Sequence, residues 1–475
     1  MERNESSLLV NFYRGKSVFI TGATGFLGKV LVEKLIRTCT GINKVYILLR
    51  SKNGISTQQR LDEFLSSKCF DYCNKATLTS KVIAIDGDVT LPLLGISDKD
   101  INTLKNDVSV VFHSAASVRF DEPLKDCLKY NVLATKLVLE LCHEIKNLKA
   151  FIHVSTAYAY CNLPETDEVL YPMKASANRL LEAAKWMDED TLQVVGERLF
   201  EGRPNTYTFT KALAEHYINE NKGQLPVAIV RPSIITATSK EPIPGWIDSI
   251  NGPAGACLLG ALGIARTMNF HPYKIGDFIP VDIVSNAAIA AAWQTATKNE
   301  TELKVYNVTS GNVNPLTWKQ FLEYGREMAV KYPSYKTIRP PAHVLQKKKV
   351  NLLSHYATKY FSEIFFAYFL DMFLILIGQK PIMVKVVNKM HNAFNLLEFF
   401  AQRQWSFPCN NLLAMYNSLP PKDRELFPMN VREVNWHAYS HDFYMGIRRH
   451  LLKEDDSNIE KARRWVKKFV RLILI

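Results

Sequence analysis

The 475-residue sequence has no apolar run of the ~20 residues that a membrane-crossing helix requires. The apolar run at 364–377 falls short, is interrupted by Asp371, and is followed by the stop signals Gly378 and Pro381. A buried or interfacial helix is therefore expected there, rather than a bilayer crossing. The opening segment MERNESSLLVNF lacks an apolar signal core, which predicts no secretory export. The eight cysteines show neither C-x-x-C nor any other metal-ligand spacing. That argues against a disulfide framework and a metal site, and it fits reduced packing cysteines in cytosol-like solvent. Asn307-Val308-Thr309 has the form of a glycosylation acceptor, but without an entry signal it reads as coincidence. Internal repeats and low-complexity segments are also missing.

What is present is a chain long enough for two or three domains, 47% hydrophobic and 22% charged, so the bulk is globular. The formal charge of +13 calls for an anionic partner: nucleic acid, an acidic membrane surface or a phosphorylated ligand. No nucleic-acid-binding motif accompanies the charge. Short β-rich runs recur at 16–22, 43–50, 81–89, 108–116, 148–158 and 225–233, separated by helical stretches. Runs buried on both faces and alternating with helices predict a Rossmann-type, doubly wound parallel α/β sheet, extending to about residue 290. The Gly- and Pro-rich stretch 242–276 is expected either to form loops and helices over a substrate cleft or to be irregular surface structure. From about 340 the character changes: Arg339-Pro340-Pro341 is a break, and the basic cluster at 346–350 reads as a solvated face.

The first run ends in TGATGFLG, with Gly22, Gly25 and Gly28 opening a helix. Glycines there permit a tight turn and let backbone approach a pyrophosphate seated on the helix N-terminus. Roughly 20 residues beyond Gly28, where an NAD-binding domain places a carboxylate for the ribose, stand Arg50 and Lys52. A basic pair can neutralise a 2′-phosphate, so the expected cofactor is NADPH; a solvated strand-end charge is the plainer alternative. Asp88 is positioned either to accept from the adenine amine or to make an ordinary turn. Ser114, Ala115, Ala116 and Ser117 are small enough for backbone to lie along a nicotinamide ribose, or for tight packing alone.

The fifth run ends in Ser155 and Thr156, at the carboxyl edge where open α/β sheets bind ligands. Further on, Tyr207 and Lys211 stand four residues apart, a spacing that puts both on one face of a helix. A carbonyl taking a hydride also needs a proton. Tyrosine, with an ordinary pKa of ~10, is a poor donor or acceptor near neutrality unless a neighbouring ammonium favours its phenolate. The expected roles are Thr156 holding the carbonyl oxygen, Tyr207 giving the proton, and Lys211 tuning Tyr207 while binding ribose hydroxyls.

The segments TGATGFLGKVLVEKL, VFHSAASVRFDE, HVSTAYAYCN, YTFTKALAE, VAIVRPSI, PGWIDSINGP and NVREVNW, in this order, resemble the fatty acyl-CoA reductases, within the extended short-chain dehydrogenase/reductase superfamily. The resemblance spans about residues 10–455. It implies NADPH-dependent reduction of a long-chain acyl-CoA thioester to a primary fatty alcohol through a bound aldehyde, with coenzyme A released, in lipid biosynthesis. It extends the expected cofactor contacts to Thr21, Thr24, Phe26, Leu27, Val89, Asn131, Pro232, Ser233 and Ile234. It also implies four segments: an NADPH-binding catalytic domain at 12–290, a substrate-side extension and linker at 291–355, a helical C-terminal domain at 356–455, and a basic amphipathic tail at 456–475.

Acyl-CoA and NADPH are both anionic, which accounts for the basic charge without nucleic acid. Many family members continue into an apolar anchor beyond the point where this sequence reads ARRWVKKFVRLILI. On a helical wheel Arg463, Arg464, Lys467, Lys468 and Arg471 face away from Trp465, Val466, Phe469, Val470, Leu472 and Ile473. That pattern fits a helix lying on an anionic membrane, or one that packs on the C-terminal domain. The expected location is the cytosolic face of a peroxisomal or endoplasmic reticulum membrane. No motif encodes an oligomeric state. The competing functions are another extended reductase, acting on a sugar nucleotide or steroid, and a non-catalytic cofactor-binding protein. The added C-terminal region argues against the first, and the presence of Tyr207, Lys211 and the glycines against the second.

Overall fold

A computed structural model describes residues 7–51, 54–250, 252–298, 302–342 and 352–474. The chain forms two units, and each draws on separated stretches of sequence. The first comprises Met1–Ile235, Ile279–Asn312 and Trp405–Arg432; the second comprises Thr236–Phe278, Val313–Gln404 and Glu433–Ile475.

In the first unit, apolar runs become the strands β1 (Ser17–Thr21), β2 (Val45–Leu49), β3 (Val82–Asp86), β4 (Val108–His113), β5 (Ala150–Val154) and β6 (Val227–Pro232). A seventh, β7 (Lys304–Val308), is not among the runs picked out from sequence. All pair in parallel in the order β3-β2-β1-β4-β5-β6-β7. Strands β1, β2, β5 and β6 are buried at every position, as a sheet covered by helices on both faces demands. The order turns back between β1 and β4, so their carboxyl ends frame the crevice where such sheets bind ligands. The first crossover helix is α1 (Phe26–Thr38), and α2 (Thr206–Asn221) precedes β6. A helix at Val281–Lys298 packs on α1 and on strands β5, β6 and β7; its alanine-rich surface lets it sit close and nearly wholly buried. Asn307 is also buried, its amide donating to the carbonyls of Thr166 (3.0 Å) and Pro408 (2.8 Å), which leaves no room for a glycan.

The second unit is mostly helical. A helix at Pro253–Ala261, inside the Gly- and Pro-rich stretch, packs on Trp318–Lys331. A cavity of about 70 Å³ is lined there by small side chains including Ala256, Ala261 and Ala329. The run at 364–377 forms α3 (Phe365–Leu376), which turns back into α4 (Met383–Ala401). The buried alternative for this run does not hold. Ala367 and Asp371 face inward, but Phe365, Tyr368, Phe369, Met372, Phe373 and Leu376 are exposed. The basic cluster at 346–350 lies outside the described residues. The tail is helical as α5 (Ile459–Leu474), beginning with buried Ala462 and with Arg463 donating to the Lys331 carbonyl at 2.7 Å. Among the described residues no helix is long and apolar enough to cross a membrane.

Candidate active site

The glycine turn is set by contacts that only hydrogen side chains allow. Gly22 adopts a φ of +75°, and a Cβ there would lie 2.6 Å from the Ala115 nitrogen. The carboxyl ends of β1 and β4 therefore meet through bare backbone. A Cβ on Gly28 would fall 2.3 Å from the Gly22 carbonyl oxygen, so α1 starts hard against the turn. Gly25 is the N-cap of α1 and offers no side-chain oxygen to its first amides. Thr24, Phe26 and Leu27 are half-buried around this helix start, and Gly25 is exposed.

At the ends of β2 and β3, the Arg50 guanidinium meets the Asp88 carboxylate at 3.0 Å. Asp88 also accepts from the Thr90 amide and hydroxyl, at 2.9 and 2.8 Å. Burial pushes its pKa up, but these bonds and Arg50 win and hold it below the usual carboxylate value. Arg50, Gly87 and Asp88 line an open recess, and Val89 packs on the core beside it. Lys52 lies outside the described residues.

Beyond β4, the Ser114 hydroxyl donates to the Thr21 carbonyl at 2.9 Å, and the Ala115 amide reaches the Thr21 hydroxyl at 3.4 Å. Ala116 and Ser117 follow, half-buried. The Ser117 amide donates to the Asn131 side-chain oxygen at 2.8 Å, and the Asn131 amide donates to the Thr210 hydroxyl at 2.9 Å. Asn131 belongs to a π-helical turn, Leu128–Leu133, a local widening that often marks functional positions. It ties the β4 loop to α2 one residue before Lys211.

At the end of β5, Ser155 and Thr156 are both buried. The Thr156 hydroxyl accepts from the Tyr158 amide at 3.2 Å and lies near enough to the Tyr207 phenol to oppose the rise in its pKa. Tyr207 is half-buried on α2, stacked on Phe120 with ring centroids 5.6 Å apart. Lys211, one turn on, is 2% exposed and donates to the Val154 carbonyl at 2.6 Å. Burial lowers its pKa to about 8, with Glu215 acting in the opposite direction. The phenol departs from expectation. Burial pushes the Tyr207 pKa up to about 12 despite the nearby Thr156 hydroxyl, and Cys127 adds to the rise. The Lys211 ammonium is engaged with a carbonyl and does not govern the phenol. Tyr207 is thus held as the protonated acid. The hydroxyls of Ser155 and, beyond β6, of Ser233 are buried with no hydrogen-bond partner; Pro232 and Ile234 flank Ser233.

Behind these groups lies a layer that the sequence reading did not single out. Glu215 and Arg231, both fully buried, pair through contacts of 2.9 and 2.7 Å, and Arg231 also donates to the Asp167 and Val169 carbonyls. Glu215 continues the four-residue stripe of Tyr207 and Lys211, a signal that was available in the spacing. His113 bridges the Thr21 and Thr135 hydroxyls at 2.7 and 3.0 Å. His153, 5.3 Å from it ring to ring, has no partner on either nitrogen. Burial, and next the Lys211 charge, keep both imidazoles neutral, with His113 lowered to about 3.

The residues present fit a dinucleotide. Glycines whose Cβ positions are occupied, uncapped helix amides at Gly25, and orphaned hydroxyls at Ser155 and Ser233 line the ends of adjacent strands. The parallel sheet with this turn and a Tyr-x-x-x-Lys helix defines a nicotinamide-dependent oxidoreductase of the extended short-chain dehydrogenase/reductase class.

Comparison with known proteins narrows the class. Residues 20–288 and 362–454 each match a family model described as male sterility protein, the former a dinucleotide-binding one. The chain is 40% identical over 459 residues to fatty acyl-CoA reductase 1 of Rattus norvegicus, covering 96% of this chain and 88% of the relative. It is 38% identical to the Homo sapiens protein of that name, with the same coverage. It is 37% identical to fatty acyl-CoA reductase 2 of Mus musculus, over 97% of this chain and 90% of the relative. Among solved structures, the terminal reductase domain of the myxalamid biosynthetic pathway shares the fold, with a TM-score of 0.58 at 20% identity over 92% of this chain and 91% of that one. The chain belongs to the fatty acyl-CoA reductase family.

Proposed function

We propose that this chain reduces a long-chain fatty acyl-CoA to the primary alcohol with NADPH, releasing coenzyme A, at the cytosolic face of a peroxisomal or endoplasmic reticulum membrane. Two NADPH bound in succession would each supply one hydride, the first to the thioester carbonyl, with coenzyme A leaving as the thiol, and the second to the resulting aldehyde. The glycine turn and the start of α1 would hold its pyrophosphate. Arg50 would lie by its 2′-phosphate, and Lys211, Ser155 and Ser233 near its nicotinamide half. Thr156 and Tyr207 would present two neighbouring hydroxyls to one carbonyl oxygen. Tyr207 gives up its proton as negative charge develops on that oxygen, and each hydride delivered to a carbonyl requires one such proton. Lys211, positively charged below about pH 8, would hold the ribose hydroxyls of the nicotinamide half.

The observation that carries this reading is the meeting of Thr156, Tyr207 and Lys211 at the end of β5, two strands from the glycine turn. The test is product analysis with a panel of acyl-CoA chain lengths, supplied in turn with NADPH and NADH. The expected product is alcohol, formed with NADPH. Tyr207→Phe should abolish turnover and leave dinucleotide binding intact; a variant that still turns over normally removes Tyr207 from the reaction.

A further inference from the structure

The hairpin of α3 and α4 in the second unit reverses the polarity of an ordinary surface helix pair. Soluble helices bury the apolar stripe and expose the charges. Here Phe361 is 78% exposed, Phe365 69% and Leu376 77%, and Phe369 and Met372 continue the same stripe at three- and four-residue intervals. Two carboxylates flank this stripe, Glu363 just before α3 and Asp371 within it, and both point inward instead. Asp371 accepts from the amides of Ile382, Met383 and Val384 at 2.8, 2.7 and 2.9 Å, so it caps α4 from inside the turn. Glu363 is buried, accepting from the Arg266 and Thr267 amides and lying 3.1 Å from His391.

With both acids turned in, every other charged side chain of residues 352–390 is a lysine: Lys359, Lys380, Lys385 and Lys389. The last three are exposed and have no carboxylate partner among the described residues. A 12-residue helix rises about 18 Å, well short of the ~30 Å hydrocarbon core, so α3 cannot span it. Tyr360 and Tyr368, also exposed, add the amphipathic rings that favour the headgroup level.

We propose that the α3–α4 hairpin enters one leaflet of an anionic phospholipid membrane, its aromatic stripe among the acyl chains and its lysines at the headgroups. A second copy of this chain is the poorer occupant, because a two-fold contact across this stripe would bring unpaired lysines toward their own equivalents. The inference does not depend on the catalytic reading, since vesicle binding needs neither substrate nor turnover.

The test uses the full chain and phosphatidylcholine vesicles with and without phosphatidylserine, in flotation. The triple variant Phe365→Ser, Phe369→Ser, Leu376→Ser should bind at least about tenfold more weakly. Lys380→Glu with Lys385→Glu should lose binding only where phosphatidylserine is present. All eight native cysteines are buried, so Phe369→Cys accepts a fluorophore selectively. Lipid-borne quenchers should reach that probe, and should fail to reach it once Phe365→Ser and Leu376→Ser are added. Flotation of the serine variant equal to the parent overturns the proposal and assigns the membrane contact to α5. Unchanged flotation together with conversion of a dimer to a monomer overturns it in favour of a second copy.

Discussion

Replacing Glu215 by Gln should damage stability first and proton handling second. The carboxylate and the Arg231 guanidinium are both fully buried, and two contacts of 2.9 and 2.7 Å join them as a fork. Gln keeps the shape and removes the charge, leaving a guanidinium in the interior without a counter-ion. Breaking such a pair from one side costs about 3–5 kcal/mol. The lower end is expected here, because Arg231 retains the Asp167 and Val169 carbonyls at 3.0 and 2.9 Å and lies 4.9 Å from the Tyr160 ring centre. Removing both charges together, as Glu215→Leu with Arg231→Met, should recover at least about half of that loss. The assay is urea unfolding of the parent, Glu215→Gln, Glu215→Leu, Arg231→Met and the double variant, the last three read with the parent as a cycle.

Lys211 supplies an independent readout. Its lowering from 10.5 to about 8 penalises the charged form by about 3 kcal/mol. Because the folded-state pKa lies below the unfolded one, the penalty is present below pH 8 and disappears as pH rises from about 8 toward 10.5. Glu215 is the group that opposes the lowering, so Glu215→Gln should bring the alkaline fall in activity to lower pH. A single variant within about 0.5 kcal/mol of the parent, or a double variant no better than the single one, refutes the reasoning.

Three further outcomes follow from local geometry. Gly28→Ala places a methyl against the Gly22 carbonyl, and should weaken dinucleotide binding at least about tenfold by calorimetry while the sheet stays folded. Arg50→Glu sets a second acid beside Asp88, and should raise the KM for NADPH by about tenfold without raising that for NADH. Asp371→Asn should destabilise the start of α4 by about 1–2 kcal/mol, seen as faster amide exchange at Ile382, Met383 and Val384. Burial opposes the charge on Asp371, but these three amide bonds outweigh it and lower its pKa. The parent should therefore lose this cap as pH falls through the lowered carboxylate pKa.

The sheet was readable in the sequence wherever burial on both faces made continuous apolar runs. Six such runs correspond to β1 to β6, with ends differing by a few residues because turns such as HSAAS and STAY share their composition. Strand β7 was missed because Lys304 and Asn307 break its short apolar run and its partner, β6, lies far away in sequence. The glycine turn and the Tyr207–Lys211 spacing were legible because backbone conformation and helical period leave marks in residue type. The Glu215–Arg231 strut and the neutral His113–His153 pair were not. An interior ion pair looks in sequence like any two surface charges, and a buried imidazole like a solvated one. The outward stripe of α3 was left open between a buried and an interfacial helix for a related reason: periodicity shows that a helix has two faces, not which of them meets water.

A short helix that precedes β1, Leu8–Tyr13, is fastened by a residue that the ribosome adds long after it. Asp423 accepts from the Ser7 hydroxyl and from the Leu8 and Leu9 amides, across a separation of 416 residues. At about 5–20 residues per second, roughly 20–80 s pass between the synthesis of the two partners. During that interval the first turn has its local Ser7 cap but no acid to hold it in place. Translation arrested before residue 423 should therefore leave the amino terminus open to protease even after β1 to β6 have assembled. Synthesis past residue 423 would let it close, so the order of synthesis places this fastening after the first six strands are made.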